Sequence, residues 1–218
     1  MRRLRLGVLV SGRGSNLQAL IDACADRDFP AEIAVVVSNV ADAPALDRAR
    51  RAGIATAVLP HRGFASRAGF DAAVGDALAA AGVELVCLAG FMRLLTPGFV
   101  DAWRDRMVNI HPSLLPAFKG LHPQQQALDA GVRVSGCTVH FVRNEMDAGP
   151  ILVQGVVPVL PDDTADILAD RILAAEHAAY PLAVRLIAEG RVRVADERVA
   201  ITGGDWRVGA LMVPAAGA

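Results

Sequence analysis

The chain has 218 residues, 53% of them hydrophobic and 21% charged, with a formal net charge of -1. That length and balance suit one compact α/β domain with a sizeable core and exclude a disordered chain. The near-neutral charge offers no basic field to a nucleic-acid backbone, and no apolar run approaches the ~20 residues of a membrane-spanning helix.

The opening "MRRLRLGVLVSGRGSN" imitates a signal peptide, but Leu6 to Val10 is too short for an h-region and Arg13 interrupts directly after it. A buried first strand is the expectation. "LRLGVLV" is followed by "SNLQALIDACA", apolar at helical spacing, then by a second strand "AEIAVVVS" and a helix "APALDRARRAG" closed by Gly53. "IATAVLP" reads as a third strand, "SRAGFDAAVGDALAAAG" as a helix closed by Gly82, and "VELVCLAG" as a fourth strand. Continuous apolar strands separated by helices predict a mostly parallel, twisted sheet covered on both faces, with a Rossmann-like first half.

The pattern then changes. "RMVNI" reads as a strand, "PQQQALDAG" as a short helix, and "RVSGCTVHFV" and "GPILVQGVVPV" as strands that pair antiparallel around the loop "RNEMDA". From Thr164 a long helix runs to Gly190, with a bend expected near Pro181. "RVRVADERVAITGGDW" predicts a small hairpin, and "MVPAAGA" a frayed end. The expected organisation is one domain, residues 1–190 carrying the catalytic part and 191–218 a C-terminal hairpin and tail. Cys24, Cys87 and Cys137 are odd in number and lack a C-x-x-C pair, which argues against a disulfide framework or zinc site and for a reducing cytoplasm.

Two stretches carry chemistry. "SGRGSN" joins the first strand to the first helix at the carboxyl edge of a parallel sheet, where ligands bind. The free N–H groups of Gly14, Ser15 and Asn16 suit an anion at a helix N-terminus; a plain glycine turn capped by Ser15 or Asn16 is the competing reading. A dinucleotide fares worse, because Leu17 replaces the third glycine of G-x-G-x-x-G and Ser38-Asn39 ends the second strand without an acid. The second stretch is "VNIHPSLLPAFKG". Strand alternation puts Asn109 and His111 on one side, ~7 Å apart, with Val108 and Ile110 on the other, and Pro112 ends the strand. An amide and an imidazole so placed suit an oxyanion and a moving proton; a histidine merely hydrogen-bonded at a strand end is the alternative.

"NIHPSLLPAFKG", "LAGFMRLLTP" and "TVHFVRNEMDAGPIL", in this order after the glycine turn, together resemble the folate-dependent formyltransferases. "GSNLQALIDA" and "AEHAAYPL" narrow the resemblance to the members acting on glycinamide ribonucleotide, over roughly Leu4 to Gly190. It implies a formyltransferase-type fold and formyl transfer from 10-formyltetrahydrofolate to the amine of glycinamide ribonucleotide in purine (IMP) synthesis. The amine attacks directly, and Asn109 and His111, with Asp147, stabilise the tetrahedral oxyanion. His111 shuttles the proton, and a nearby carboxylate favours its imidazolium. Asp147 also suits simple loop capping before Gly149.

The resemblance further implies that the nucleotide meets Gly14, Ser15 and Asn16 and that Glu176 holds its glycinamide amine, although a helix glutamate is ordinarily solvated. Leu173 stands where some relatives carry a lysine or glutamine that reaches the phosphate, so the phosphate is expected to lean more on the glycine turn or on an arginine elsewhere. The folate is implied to lie along Met92, Arg93, Leu94 and Leu95, near Arg67, Asn109, Val142 and Asn144. Arg67 is equally read as a solvated first-turn residue, and His140, on the strand entering the loop, either sits near the cleft or is a satisfied core histidine.

No metal and no covalent nucleophile is expected, nor a nucleic-acid or membrane partner; the chain is expected to be a monomer or homodimer. The rivals are a tRNA formyltransferase, expected to carry a further C-terminal domain, and a formyl-folate hydrolase, expected to carry an additional N-terminal one. A folate- or nucleotide-binding module without turnover is a third, and a nicotinamide dehydrogenase a fourth.

Overall fold

The structure is a computed structural model that describes residues 2–204 and 212–213. The first half alternates as expected: β1 (Leu4–Val10), α1 (Ser15–Ala25), β2 (Ala31–Ser38), α2 (Pro44–Arg51), β3 (Thr56–Val58), α3 (Arg67–Ala80) and β4 (Leu85–Leu88). A short helix α4 (Pro97–Ala102) precedes β5 (Met107–His111), α5 (Pro123–Asp129), β6 (Val134–Phe141), β7 (Ile151–Pro158) and the long α6 (Ala165–Ala188). β8 (Val192–Ala195) and β9 (Arg198–Ile201) form a separate antiparallel hairpin. The expected fray of residues 212–218 lies, apart from 212–213, outside the described residues.

Seven strands make one sheet in the order β3-β2-β1-β4-β5-β6-β7. Pairing is parallel from β3 through β5 and antiparallel for β5–β6 and β6–β7. The chain reverses direction of build between β1 and β4, so a crevice opens above their carboxyl ends, the usual ligand position in such sheets.

Alternation along the strands feeds two cores. Val8, Val10, Val108 and Ile110 face Leu17, Leu20, Tyr180 and Val184 under α1 and α6. Leu9, Val37, Val86 and Met107 face Phe70, Val74, Leu78 and Phe99 under α3 and α4. The buried Tyr180 hydroxyl donates to the Leu88 carbonyl at 2.9 Å, with the Val108 carbonyl at 3.3 Å, and so ties α6 to the ends of β4 and β5. Burial pushes that phenol well up, which keeps it a neutral donor.

The differences from expectation are local. β3 is shorter than "IATAVLP", and a 3-10 turn, His61–Gly63, follows it. Helix α4 was not anticipated: six residues beginning at a proline are too few for a periodic apolar pattern. Thr164 caps α6 by accepting from the Ile167 N–H, as its sequence suggests, and Pro181 lies inside the helix without ending it.

Candidate active site

The glycine turn sits between β1 and α1 at the crevice. Gly14 is the residue before the helix, with φ 72°, and no side chain caps the first amides. A Cβ at Gly14 would stand 2.6 Å from the Ala45 Cβ and 2.8 Å from its Cα, so glycine is demanded by both dihedral and space. The Gly12 carbonyl accepts from the Ala45 N–H at 3.1 Å, and Arg48 Nε donates to the Arg13 carbonyl at 2.9 Å. The turn is thus clamped to α2, and Arg48 is a cation held directly on it.

Of the capping readings, neither Ser15 nor Asn16 caps the helix. Asn16 turns instead to α6, where its Nδ2 donates to Glu176 Oε2 at 2.7 Å, while its buried Oδ1 has no partner. Glu176 is only 6% exposed, so it is no solvated helix glutamate. Burial raises its carboxyl above the usual range and the Asn16 hydrogen bond opposes that rise. A buried carboxylate with one donor, beside an unsatisfied amide oxygen, is a receptor for further N–H or O–H groups. Leu173, one turn earlier on α6, is half-buried.

At the end of β5, Asn109 and His111 share the face of Met107, opposite Val108 and Ile110. The following "PSLLPAF" segment is fixed by Thr138, which donates to the Ser113 carbonyl at 2.7 Å and accepts from the Leu115 N–H at 3.0 Å. That segment brings the Phe118 carbonyl to 3.0 Å from His111 Nε2. The other ring nitrogen, Nδ1, faces Asp147 Oδ2 at 3.5 Å. The same Asp147 oxygen accepts from the Gly120 N–H at 2.9 Å. Asp147 has φ 52°, and the chain behind it approaches β6 so closely that a Cβ at Gly149 would lie 1.7 Å from the Phe141 carbonyl oxygen. The loop therefore curls Asp147 inward rather than leaving it at the surface.

His140 joins this group: of its two readings, a place near the cleft and a satisfied core histidine, it is buried and also sits against the site. It pairs with Asn109 across β5–β6, and its Nε2 lies 3.3 Å from Asn109 Nδ2 and 3.8 Å from Asp147 Oδ1. Its Nδ1 lies 3.0 Å from the Phe141 carbonyl and must donate there, which leaves Nε2 to accept from Asn109. Burial lowers its pKa against the pull of the Phe141 carbonyl and Asp147, so the ring stays neutral and orients the amide. The only sequence signal was its place on a strand entering the loop; register made it a site residue.

The expected folate wall lies across the crevice. Met92 and Leu94 are 77% and 59% exposed, Leu95 is half-buried, and the Met92 N–H donates to Ser11 Oγ at 2.8 Å. The Arg93 guanidinium lies 4.8 Å from the Phe70 ring centroid, and its buried Nε has no partner. Arg67 is exposed as the first residue of α3, after Ser66, which caps it by accepting from the Gly69 N–H. Val142 is half-buried and its N–H donates to the Met107 carbonyl at 2.9 Å. Asn144 is exposed and spends its amide on Asp101 Oδ1 at 3.1 Å, so it is brought to α4 rather than to Asp147. Among the described residues there is no metal-ligating cluster of three or more His, Cys, Asp or Glu.

A family model described as formyl transferase matches residues 4–184. The chain is 52% identical, over 90% of its own length, to the trifunctional purine biosynthetic protein adenosine-3 of Drosophila melanogaster, but spans only 15% of that protein. It is 43% identical to the phosphoribosylglycinamide formyltransferase of Haemophilus influenzae, with 91% of this chain and 94% of that protein covered. The solved glycinamide ribonucleotide transformylase 1 of Symbiobacterium toebii superposes with a TM-score of 0.89 at 53% identity, over 91% of this chain and 94% of that one.

Proposed function

Because the chain belongs to the formyl transferase family, whose model spans residues 4–184, we propose that it transfers a formyl group from 10-formyltetrahydrofolate to the amine of glycinamide ribonucleotide. The observation that carries this reading is the convergence of Asn109, His111 and Asp147 at the end of β5, His111 Nδ1 and Asp147 Oδ2 being 3.5 Å apart.

The residues around the crevice fit both substrates. Exposed Met92 and Leu94 offer apolar surface to a flat ring, with the Arg93 guanidinium, packed on Phe70, between them in sequence. On the other side, the amides of Gly14, Ser15 and Asn16 with Arg48 suit a phosphate monoester. Arg48 answers for the phosphate contact that Leu173 cannot make. Glu176, held by Asn16, accepts from a donor group of the nucleotide, the glycinamide amine in our assignment.

The bound formyl folate supplies an electrophilic formyl carbon. Asn109 Nδ2 has two hydrogens; one is accepted by His140, and the other is free for an oxygen that gains negative charge. With Nε2–H of His111 committed to the Phe118 carbonyl, the proton that His111 can trade sits on Nδ1, the nitrogen facing Asp147. The reaction needs one proton taken from the attacking amine and one delivered to the departing folate nitrogen, and this pair handles both without net change. Met92, Arg93, Leu94 and Leu95, with Arg67, Val142 and Asn144, line the folate side in this assignment.

The three cysteines are free, and no described helix is long and apolar enough to cross a membrane; a cytoplasmic enzyme is consistent with both. The test offers purified protein the formyl folate with and without glycinamide ribonucleotide and follows both products. Formyl transfer that requires the nucleotide is expected. Formate release independent of it would replace the reading with a hydrolase.

A further inference from the structure

We propose that Glu197, in the turn of the β8–β9 hairpin, is a positioning residue: through Arg143 it holds the loop that carries Asp147 against the catalytic strand. Glu197 lies beyond the residues matched by the family model.

Arg143 opens that loop, and its side chain is only 11% exposed. Its Nε donates to Glu197 Oε2 at 2.7 Å, its Nη2 to Asp105 Oδ1 at 2.6 Å, and its Nη1 to the Val142 carbonyl at 3.0 Å. The second Glu197 oxygen takes Arg104. Three segments therefore meet at one guanidinium: the Asp147 loop, the turn that feeds β5 with Asn109 and His111, and the hairpin.

The acids that hold Arg143 sit in strained backbone. Asp105 has φ 57°, and Asp196 and Glu197, the two residues of the hairpin turn, have φ 49° and 55°. A two-residue hairpin turn with both φ positive ordinarily takes Asn-Gly. Non-glycine residues stay in that region where surrounding contacts over-determine them. For Asp105 and Glu197 the contacts are the arginines. Of the other tethers of the loop, Asn144 to Asp101 and Lys119 to Glu145 are single exposed contacts, while the Gly120 N–H to Asp147 bond holds its tip. Exposed ion pairs contribute little to stability, so the consequence of this network is read in position: Asp147 reaches His111 only if the loop stays curled.

The kinetic arm of the test rests on the formyl-transfer reading; the exchange arm does not. In Glu197→Ala, amide hydrogen exchange of residues 143–149 should quicken while β1 and β5 stay as in wild type. Turnover should fall about 10-fold or more, as small misplacements of reacting groups do, with the nucleotide KM within about two-fold of wild type. In a double-mutant cycle Arg143→Ala should add little to Glu197→Ala, and Arg104→Ala alone should lose less than either. Glu197→Gln, which keeps the turn's shape, repeats the test if the alanine variant does not fold. Unchanged loop exchange, or a lowered melting temperature with unchanged turnover, would overturn the proposal, as would full additivity with Arg143→Ala. Absence of formyl transfer by wild type would strike the reading of function, and loop exchange would then decide the brace alone.

Discussion

Asp147 Oδ2 stands 3.5 Å from His111 Nδ1, although one residue ends a parallel strand and the other rides a loop between two antiparallel ones. The contact leaves the imidazole with an acceptor at each nitrogen, the Phe118 carbonyl at Nε2 and the carboxylate at Nδ1. A ring anchored at Nε2 and flanked by a carboxylate at Nδ1 is oriented before any substrate arrives. His111→Ala should therefore lower turnover by about 10²–10⁴, the usual worth of a positioned proton carrier. Nucleotide affinity, measured by titration calorimetry, should stay near wild type, because the proposed phosphate turn, Gly14 to Asn16, is separate. Equal losses in both would make His111 a structural residue.

His140 orients Asn109 and also lies 3.8 Å from Asp147 Oδ1, so its loss should act on turnover chiefly through the Asn109 amide. His140→Leu leaves Asn109 Nδ2 without its acceptor, and turnover should fall about 10-fold, the scale of one misaligned oxyanion donor or less. The same residue sets an acid limb of stability. Burial lowers its folded pKa, so on acidification the unfolded chain takes up this proton first. Stability is lost as pH falls from about 6.5, the ordinary histidine value, toward the lowered one. Melting curves of His140→Leu should show a shallower loss over that window; identical slopes would remove His140 from the account.

Glu176 has the opposite sign. Burial raises its carboxyl, so the folded chain keeps the proton where the unfolded chain has released it. Its ionisation therefore costs stability as pH rises from the ordinary carboxylate range through the raised value. Glu176→Gln should melt higher than wild type at neutral pH, with the difference shrinking in acid. Its nucleotide KM should rise about 10-fold or more, as expected for a lost charge-assisted hydrogen bond. A variant that melts higher and binds equally well would place the nucleotide elsewhere.

Gly14→Ala tests the proposed phosphate turn through its backbone. The added Cβ meets the Ala45 Cα at 2.8 Å, which cannot swing aside as a flexible side-chain tip would, and φ 72° is unfavourable for alanine. Chemical denaturation should show a loss of about 1–3 kcal/mol, with weaker nucleotide binding. Unaltered stability would mean that α2 yields at the turn.

Much of the sheet was legible in advance because strand and helix periods are local properties: "AEIAVVVS" and "VELVCLAG" can only be buried on both faces, and Asn109 and His111 must share a side because alternate strand residues do. The glycine turn was legible for a similar reason, since Gly14 marks positive φ between a strand and a helix. The partnership of His140 with Asn109 depends on register between β5 and β6, and a one-residue slip would have turned His140 away. The meeting of Glu176 with Asn16 depends on how α6 lies over α1, and the arrival of Asp147 on a loop whose curl is held by distant charges. Sequence alone thus determined which residues face together along one element. Only the tertiary structure decided which elements meet, because hydrogen-bond register and packing join segments that share no local period.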